Sequence, residues 1–398
     1  LGRWYPDAFY AQYLCSMSAE ATDTAQRSRD FVDRLKRSQI FKDYEQAIKI
    51  NPGFAAAYYN RGKARYDRRD YDQAVADLSQ AIRPVARGHT MTTRFRLASI
   101  ALAALLGAAA AVPATAQDFS KIEVESTKVA EGVYALKGAG GNLGLVVGED
   151  RAFLIDDQYA PMVPKIRAAV AAITDKPVSF VLNTHWHGDH TGGNEAFAEA
   201  GTLVVAHDNV RTRLSSDQVM AAFDRTVPAA PKGALPVITF NDQITFHVGG
   251  HTVRTIHIPS AHTDGDAIVH LPETNVIHTG DLVFYGLYPV VDYSNGGSLK
   301  GMADATAKLM EMSNEDTRFI PGHGPVVITR RQLAEYLQML RVVHARLDTL
   351  IGEGKSLEEV IAAKPTAEFD EQWGKGFLPP DRWVRINYQG MAPAKDAK

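Results

Sequence analysis

The strongest constraint on the fold is the segment Asn183-Thr184-His185-Trp186-His187-Gly188-Asp189-His190-Thr191-Gly192-Gly193-Asn194, which directly follows an apolar run at 178–182. Three imidazoles and a carboxylate fall within six residues at the end of an expected strand, flanked by glycine. Nitrogen and oxygen donors in that density converge on borderline cations such as zinc. The spacing is not that of a helical H-E-x-x-H site, whose ligands stand one turn apart. Further donors stand at loop positions of the same kind: His262 in Ser260-Ala261-His262-Thr263-Asp264-Gly265-Asp266, Asp281 in His278-Thr279-Gly280-Asp281, and His323 in Pro321-Gly322-His323-Gly324. A chain that uses all of them must bring strand ends from positions 185 to 323 to one place.

The segments around these residues alternate in character. Short β-rich stretches at 122–129, 133–136, 143–147 and 152–155 precede a helix-period stretch at 163–173 and a strand at 178–182. Helices are expected at 193–200 and 208–223, with a strand at 203–206 between them. A second β-rich block covers 244–248, 252–258, 267–271 and 276–278, followed by a helix at 299–312 and a strand at 318–320. Two halves of strands and helices imply two sheets face to face with helices outside, a four-layer α/β sandwich. A long amphipathic helix at 329–352 follows, and Ser356-Leu357-Glu358-Glu359 is a capping box that opens another.

The first 116 residues read differently. Gln46-Ala47-Ile48 recurs as Gln80-Ala81-Ile82, 34 residues later, which is the tetratricopeptide period. Residues 1–90 resemble one such repeat with the tail of another, fewer than the about three that stacked repeats need, and are expected to be a partial or fused helical remnant. Arg94 and Arg96, the apolar run 97–112 and Ala114-Thr115-Ala116 follow the order of a secretory signal peptide over 91–116. A product initiated at Met91 is therefore expected to be periplasmic or secreted, beginning at Gln117 after cleavage and keeping no stable membrane anchor. The main domain is then 117–352, with a helical extension at 353–398.

Charge narrows the partners. Residues 1–116 carry 17 Lys+Arg against 11 Asp+Glu, which leaves 26 against 35, a net of −9, in the rest. Such a body is a poor partner for nucleic-acid phosphates, and a small-molecule substrate is expected. The one cysteine, Cys15, excludes an internal disulfide and a cysteine-based zinc site. The sequence sets no oligomeric state.

The ordered set H-x-H-x-D-H, a lone His, T-G-D and G-H-G resembles the metallo-β-lactamase superfamily over about residues 120–350. The resemblance implies an αββα sandwich and two Zn²⁺ ions, with iron or manganese as alternatives. It implies one metal on His185, His187 and His262 and a second on Asp189, His190 and His323, with Asp281 bridging and Asp156 orienting a ligand imidazole. His187, Asp189 and Asp281 are the catalytic candidates, acting with a metal-bridging hydroxide. The flanks Asn183-Thr184 and Thr191-Gly192-Gly193-Asn194 are similar to broad-spectrum β-lactamases, which makes a β-lactam amide the leading substrate and a lactone or thioester the alternative. A tetratricopeptide adaptor with a vestigial metal domain is the reading from another class. Two departures stand out: Asp281 where those enzymes carry cysteine, and Phe284 where they carry a lysine that grips the drug carboxylate. Lys300 or Asn295 is the expected replacement anchor, residues 138–142 the expected position of a mobile flap, and Trp186 either lines the pocket or packs beneath it.

Overall fold

Alternation along the strands decides which side of the body each residue enters. In the computed structural model, which describes residues 118–392 together with Ile48, Lys49, Tyr58, Arg61, Arg65, Gln73, Ala76 and Asp77, the chain forms two units, Leu1–Ala114 and Thr115–Lys398. The second unit opens with β1 (Glu125–Ala130), β2 (Val133–Lys137), β3 (Leu143–Val147) and β4 (Ala152–Ile155). Then come α1 (Val163–Ile173), β5 (Val178–Leu182), α2 (Gly188–Thr191), α3 (Asn194–Glu199), β6 (Leu203–His207) and α4 (Asp208–Leu214). A small ribbon, β7 (Gln218–Met220) and β8 (Arg225–Val227), precedes β9 (Ile238–Phe240), β10 (Gln243–Val248), β11 (His251–His257), β12 (Ala267–Leu271) and β13 (Val276–Phe284). The chain ends in α5 (Leu299–Glu311), β14 (Arg318–His323), β15 (Ile328–Thr329), α6 (Arg330–Gly352), α7 (Leu357–Ala362), α8 (Asp370–Trp373) and α9 (Pro380–Met391).

One sheet runs in the order β1-β2-β3-β4-β5-β6-β9 and the other β10-β11-β12-β13-β14-β15. On β4, Phe153 and Ile155 point between the sheets and meet Val253, Val269 and Ile320, while Ala152 and Leu154 pack under α1. On the second sheet Val276 points inward and Ile277 outward, to a third cluster that holds Leu299 of α5 and Leu340 of α6. The result is the expected αββα order of layers, built from the period of two that a strand imposes.

The helices after α6 close the same cluster: Trp373 and Trp383 are fully buried in it. Trp383 stacks on Tyr288 at 4.4 Å and donates Nε1–H to the Pro289 carbonyl at 2.6 Å. The expected capping box of Ser356 with Glu359 opens α7, and a second one, Thr329 with Gln332, opens α6. The expected helix at 208–223 is corrected: it stops at Leu214, and Gln218–Met220 turn back into a hairpin. The Gln218 amide donates to the Arg213 carbonyl and to Ser216, holding the chain off the helical path. In the first unit Arg61 and Arg65 each reach Asp77 at 2.7 Å. The repeat echo, Ile48 apart, and the segment 91–116 lie outside the described residues. Among the described residues no helix is long and apolar enough to cross a membrane.

Candidate metal centre

The ends of β4 and β5 in one sheet and of β13 and β14 in the other open onto the same edge, and the residues singled out from the sequence meet there. Past β5, Asn183 and Asn194 exchange side-chain hydrogen bonds at 3.0 and 2.9 Å, and Asn183 also donates to the His190 carbonyl. This brace folds the segment into a turn that ends in the single-turn helix α2, with His187 at its N-cap and Asp189 and His190 within it. His262 comes from the loop after β11, Asp281 from β13 and His323 from the end of β14. The β13–β14 ladder shifts register around Gly280, where φ is +51°, and Asp281 follows directly. Two glycines allow the close approach: a Cβ on Gly141 would collide with the His190 ring, and one on Gly322 with the Asp281 carboxylate.

All seven expected residues come together in two adjoining groups, His185, His187, His262 and Asp281, and Asp189, His190 and His323. Asp281 faces both: its oxygens lie 3.7 Å from His185 Nε2, 3.5 Å from His262 Nε2, 3.1 Å from His190 Nε2 and 3.3 Å from His323 Nε2. Asp189 lies 3.3 Å from His323 Nε2 and 3.6 Å from His190 Nε2.

The hydrogen bonds on the far side of each ring fix which nitrogen is left bare. His262 Nδ1–H donates to the Val290 carbonyl at 2.8 Å, His187 Nε2–H to Asp292 at 3.0 Å, and His190 Nδ1–H to Asp156 at 2.8 Å. The Thr184 hydroxyl donates to Asp156 at 2.8 Å, so it accepts from His185 Nδ1–H at 3.1 Å. In the neutral form of these four rings the inward nitrogen therefore carries the lone pair. His187 Nδ1 and His262 Nε2 face each other at 2.9 Å, an arrangement that is repulsive unless a cation lies between them. His185 Nε2, His190 Nε2 and Asp281 Oδ1 are buried with no hydrogen-bond partner. Five imidazoles, four of them held from behind, and two carboxylates fit a pair of borderline dications.

Without metal, protons carry the balancing charge. Burial presses the imidazoles of His185 and His262 downward, the latter to about 4, so both stay neutral. Burial acts the same way on His190 and His323, but Asp281, Asp189 and, for His190, Asp156 outweigh it; His190 is raised well above its ordinary value and His323 to about 9. Burial pushes Asp281 and Asp189 up, and the neighbouring imidazoles, His190 foremost, more than offset it and hold both carboxyls below the ordinary range. Metal must therefore displace protons from the His190 and His323 side of the site.

Several supporting residues escaped the sequence reading. Asp292 anchors His187 and itself accepts from Asn295 at 2.8 Å, while Arg213 holds Asn295 at 3.1 Å. Asp266 accepts from the His262 and Thr263 amides and the Thr263 hydroxyl, closing the loop that presents His262; burial raises its carboxyl to about 8 against those bonds. The only signal was acidic residues near a candidate ligand, which the sequence shows at many positions.

The cluster floors a cavity of about 430 Å³ whose walls include Tyr159, Met220, Phe223, Phe284, Val290 and Phe377, with Arg225 also lining it. Neither expected anchor lines it. Lys300 pairs with Asp304 at 2.6 Å in another groove, and Asn295 is buried behind His187. The 138–142 turn is pinned and not a free flap: Asn142 donates to the Pro321 and Gly322 carbonyls, and Gln158 to that of Gly141. Trp186 packs beneath the site against Ala206 and Val210. His207, His247, His251, His257, His270, His278 and His344 join neither donor group, and His89 lies outside the described residues.

A two-sheet sandwich with a seven-donor site at the strand ends defines a scaffold for metal-dependent chemistry. The chain belongs to the metallo-beta-lactamase superfamily, whose family model matches residues 136–341. It is 32% identical over 108 residues to a hydroxyacylglutathione hydrolase of Erythrobacter litoralis, which covers 27% of this chain and 35% of that protein. It is 23% identical over 235 residues to a linear primary-alkylsulfatase of Pseudomonas sp., covering 50% and 44%. An atrochrysone carboxyl ACP thioesterase of Aspergillus terreus is 30% identical over 185 residues, covering 46% and 49%. The sec-alkylsulfatase Pisa1 of Pseudomonas sp. superposes with a TM-score of 0.52 at 19% identity, over 69% of this chain and 51% of that one, a likeness of fold alone. The chain spans about half or less of the length of each of these relatives.

Proposed function

We propose that this chain is a dinuclear metal-dependent hydrolase that cleaves an acyl bond of a small molecule, with an acyl thioester as first substrate class. The observation that carries the reading is the set of inward, unpartnered nitrogen and carboxylate donors that opens onto a partly apolar cavity. When bound, two such metals supply Lewis acidity and an acidified water. The residues of the chain do the rest. Asp156, Asp292 and the Val290 carbonyl lock the rings so that each presents one nitrogen. Tyr159, whose phenol burial pushes to about 12, keeps its proton and offers a donor on the cavity wall. In the net reaction water adds at the acyl carbon, the carbon–sulfur bond breaks and the thiol leaves with a proton.

The names of the relatives support a sulfur leaving group, since hydroxyacylglutathione hydrolase and ACP thioesterase both act on thioesters. Asp281 in place of cysteine supports it as well. The β-lactam is the second reading, favoured by the residues around the first ligands, Asn183-Thr184 and Thr191 to Asn194. Zinc is the first choice of metal, ahead of iron and manganese, and export from Met91 is part of the same proposal.

Purified protein should contain two equivalents of metal and turn over an acylglutathione faster than an acyl-homoserine lactone, a penicillin, a carbapenem or a primary alkyl sulfate. A β-lactam rate exceeding the thioester rate would reverse the order of the two readings. Full activity after chelation would end both.

A further inference from the structure

The β7–β8 hairpin stands over the metal centre and is not a loose loop. Asn295 donates to the Val219 carbonyl at 3.0 Å, and the Ala221 amide to the Ser294 hydroxyl at 3.0 Å, so its base is fixed. Its tip carries Phe223, over which the Arg382 guanidinium of α9 lies at 5.4 Å. From the other side Phe377, held next to the buried Leu378, enters the same cavity and is 53% exposed. Phe377 lies beyond residue 341, where the family match ends.

Arg225 completes the rim. Its side chain is exposed and lines the cavity, and it has no ion pair or hydrogen bond among the described residues. The charge reaches Tyr159 on the opposite wall, where it opposes the effect of Asp189 on the phenol. Lys300, the cation expected as an anchor, is spent on Asp304, and Arg213 behind the site is spent on Asp264.

We propose that Arg225 together with Met220, Phe223 and Phe377 forms a substrate subsite for an amphipathic monoanion. Arg225 grips an oxyanion by charge-assisted hydrogen bonds, and the three apolar side chains cover a hydrocarbon chain of the same molecule. The substrate class is then a thioester of an apolar acyl chain whose leaving thiol carries an oxyanion, either carboxylate or sulfonate. This rests on the acyl-hydrolase reading, and the experiment separates the two.

Full-length protein is assayed on three S-octanoyl thioesters, of thioglycolate, of mercaptoethanesulfonate and of methyl thioglycolate, which has no charge. Wild type should favour the charged pair over the neutral ester, and the pair itself shows which oxyanion is preferred. Arg225→Gln should cut that charge preference in kcat/KM at least about tenfold, through KM, since hydrogen bonds to charged groups are worth that much. Phe377→Ala should cut the preference for octanoyl over acetyl by about tenfold, as contacts to a few methylenes do. An unchanged charge preference in Arg225→Gln overturns the subsite while the hydrolase reading stands. In parallel, calorimetric binding of octanoate and octyl sulfate, below micellar concentration, needs no turnover. If no thioester is hydrolysed and binding still weakens tenfold in Arg225→Gln, the subsite stands and the acyl-hydrolase reading falls; no binding change overturns the subsite in either case. Equal melting curves for wild type and variant exclude misfolding as the cause.

Discussion

At the scale of single residues, the donors and Asp156 were legible in the sequence, and the other groups that aim the rings were not. His185, His187, Asp189 and His190 are dense enough to be noticed, whereas Asp292 lies over a hundred positions from the ring it holds, and no local pattern connects them. The difference is testable because the two supporting carboxylates serve different groups. Asp156 holds His190 directly and reaches His185 only through the Thr184 hydroxyl, whereas Asp292 holds His187. Asp156→Asn should weaken one of two metal-binding steps by about 10- to 100-fold, and Asp292→Asn the other, with Asp281→Ala impairing both. Competition titration with a chromophoric chelator resolves the steps, and loss of the same step in both variants would contradict the assignment. A second prediction concerns His207, which stacks on His257 at 3.6 Å and whose Nδ1 accepts from the Asn209 amide. Burial, and then His257, depress its pKa below the ordinary 6.5. Below pH 6.5 the unfolded chain binds a proton that the folded one refuses, so the contribution to stability is full above that value and lost as pH falls through the folded value. His207→Gln should reduce the difference in urea midpoint between pH 7.5 and pH 5.5; an undiminished difference would place the acid sensitivity elsewhere.

At the scale of elements, several short apolar strands bounded by turn residues and several helices were read nearly to their ends, because turn chemistry and period are local. The strands at 143–147, 152–155, 178–182 and 267–271 and the helix at 163–173 have the expected bounds. The failure at 208–223 is instructive. Residues 218–223 are rich enough in apolar side chains to continue a helix, and only contacts of the Gln218 amide and of Asn295, distant in sequence, turn them into a hairpin. That hairpin carries Met220, Phe223 and Arg225, so the misreading of one element also hid the rim of the cavity. Phe284 shows the same limit from the packing side. It is 1% exposed and stacks on His323 at 4.7 Å, so the position that resembled a vacant lysine site belongs to the core. Phe284→Lys would bury an ammonium beside an imidazole already raised by its neighbours, and should lower the melting temperature without improving kcat/KM on a penicillin. Differential scanning calorimetry with parallel kinetics checks this, and a gain in β-lactam turnover at unchanged stability would refute it.

At the scale of the whole molecule, the sequence placed its boundary at the change from helix-period to signal-like text and treated 353–398 as an appendix. The body in fact has no seam there. Val360, Trp373, Leu378, Trp383, Val384 and Ile386 enter the cluster that packs α5 and α6 on the second sheet. Removing one buried tryptophan costs about 3–5 kcal/mol, and a domain holds only about 5–15 kcal/mol in all. A chain truncated after Gly352 loses two such tryptophans and the partners of Tyr288, so it should not fold cooperatively. Trp383→Ala alone should lower stability by about 3–5 kcal/mol, since the cavity adds to the loss of the Pro289 hydrogen bond. The segment 1–114 is a unit of its own and supplies none of the seven donors. A protein starting at Thr115 should therefore match the full chain in metal content, in the urea midpoint of the body and in kcat/KM on thioesters. Residues 115–352 and 115–398, compared with the full chain by circular dichroism and metal analysis, test both ends at once. Folding of the shorter piece would show that the C-terminal helices are dispensable. Loss of activity on removing residues 1–114 would instead restore a role for the N-terminal segment.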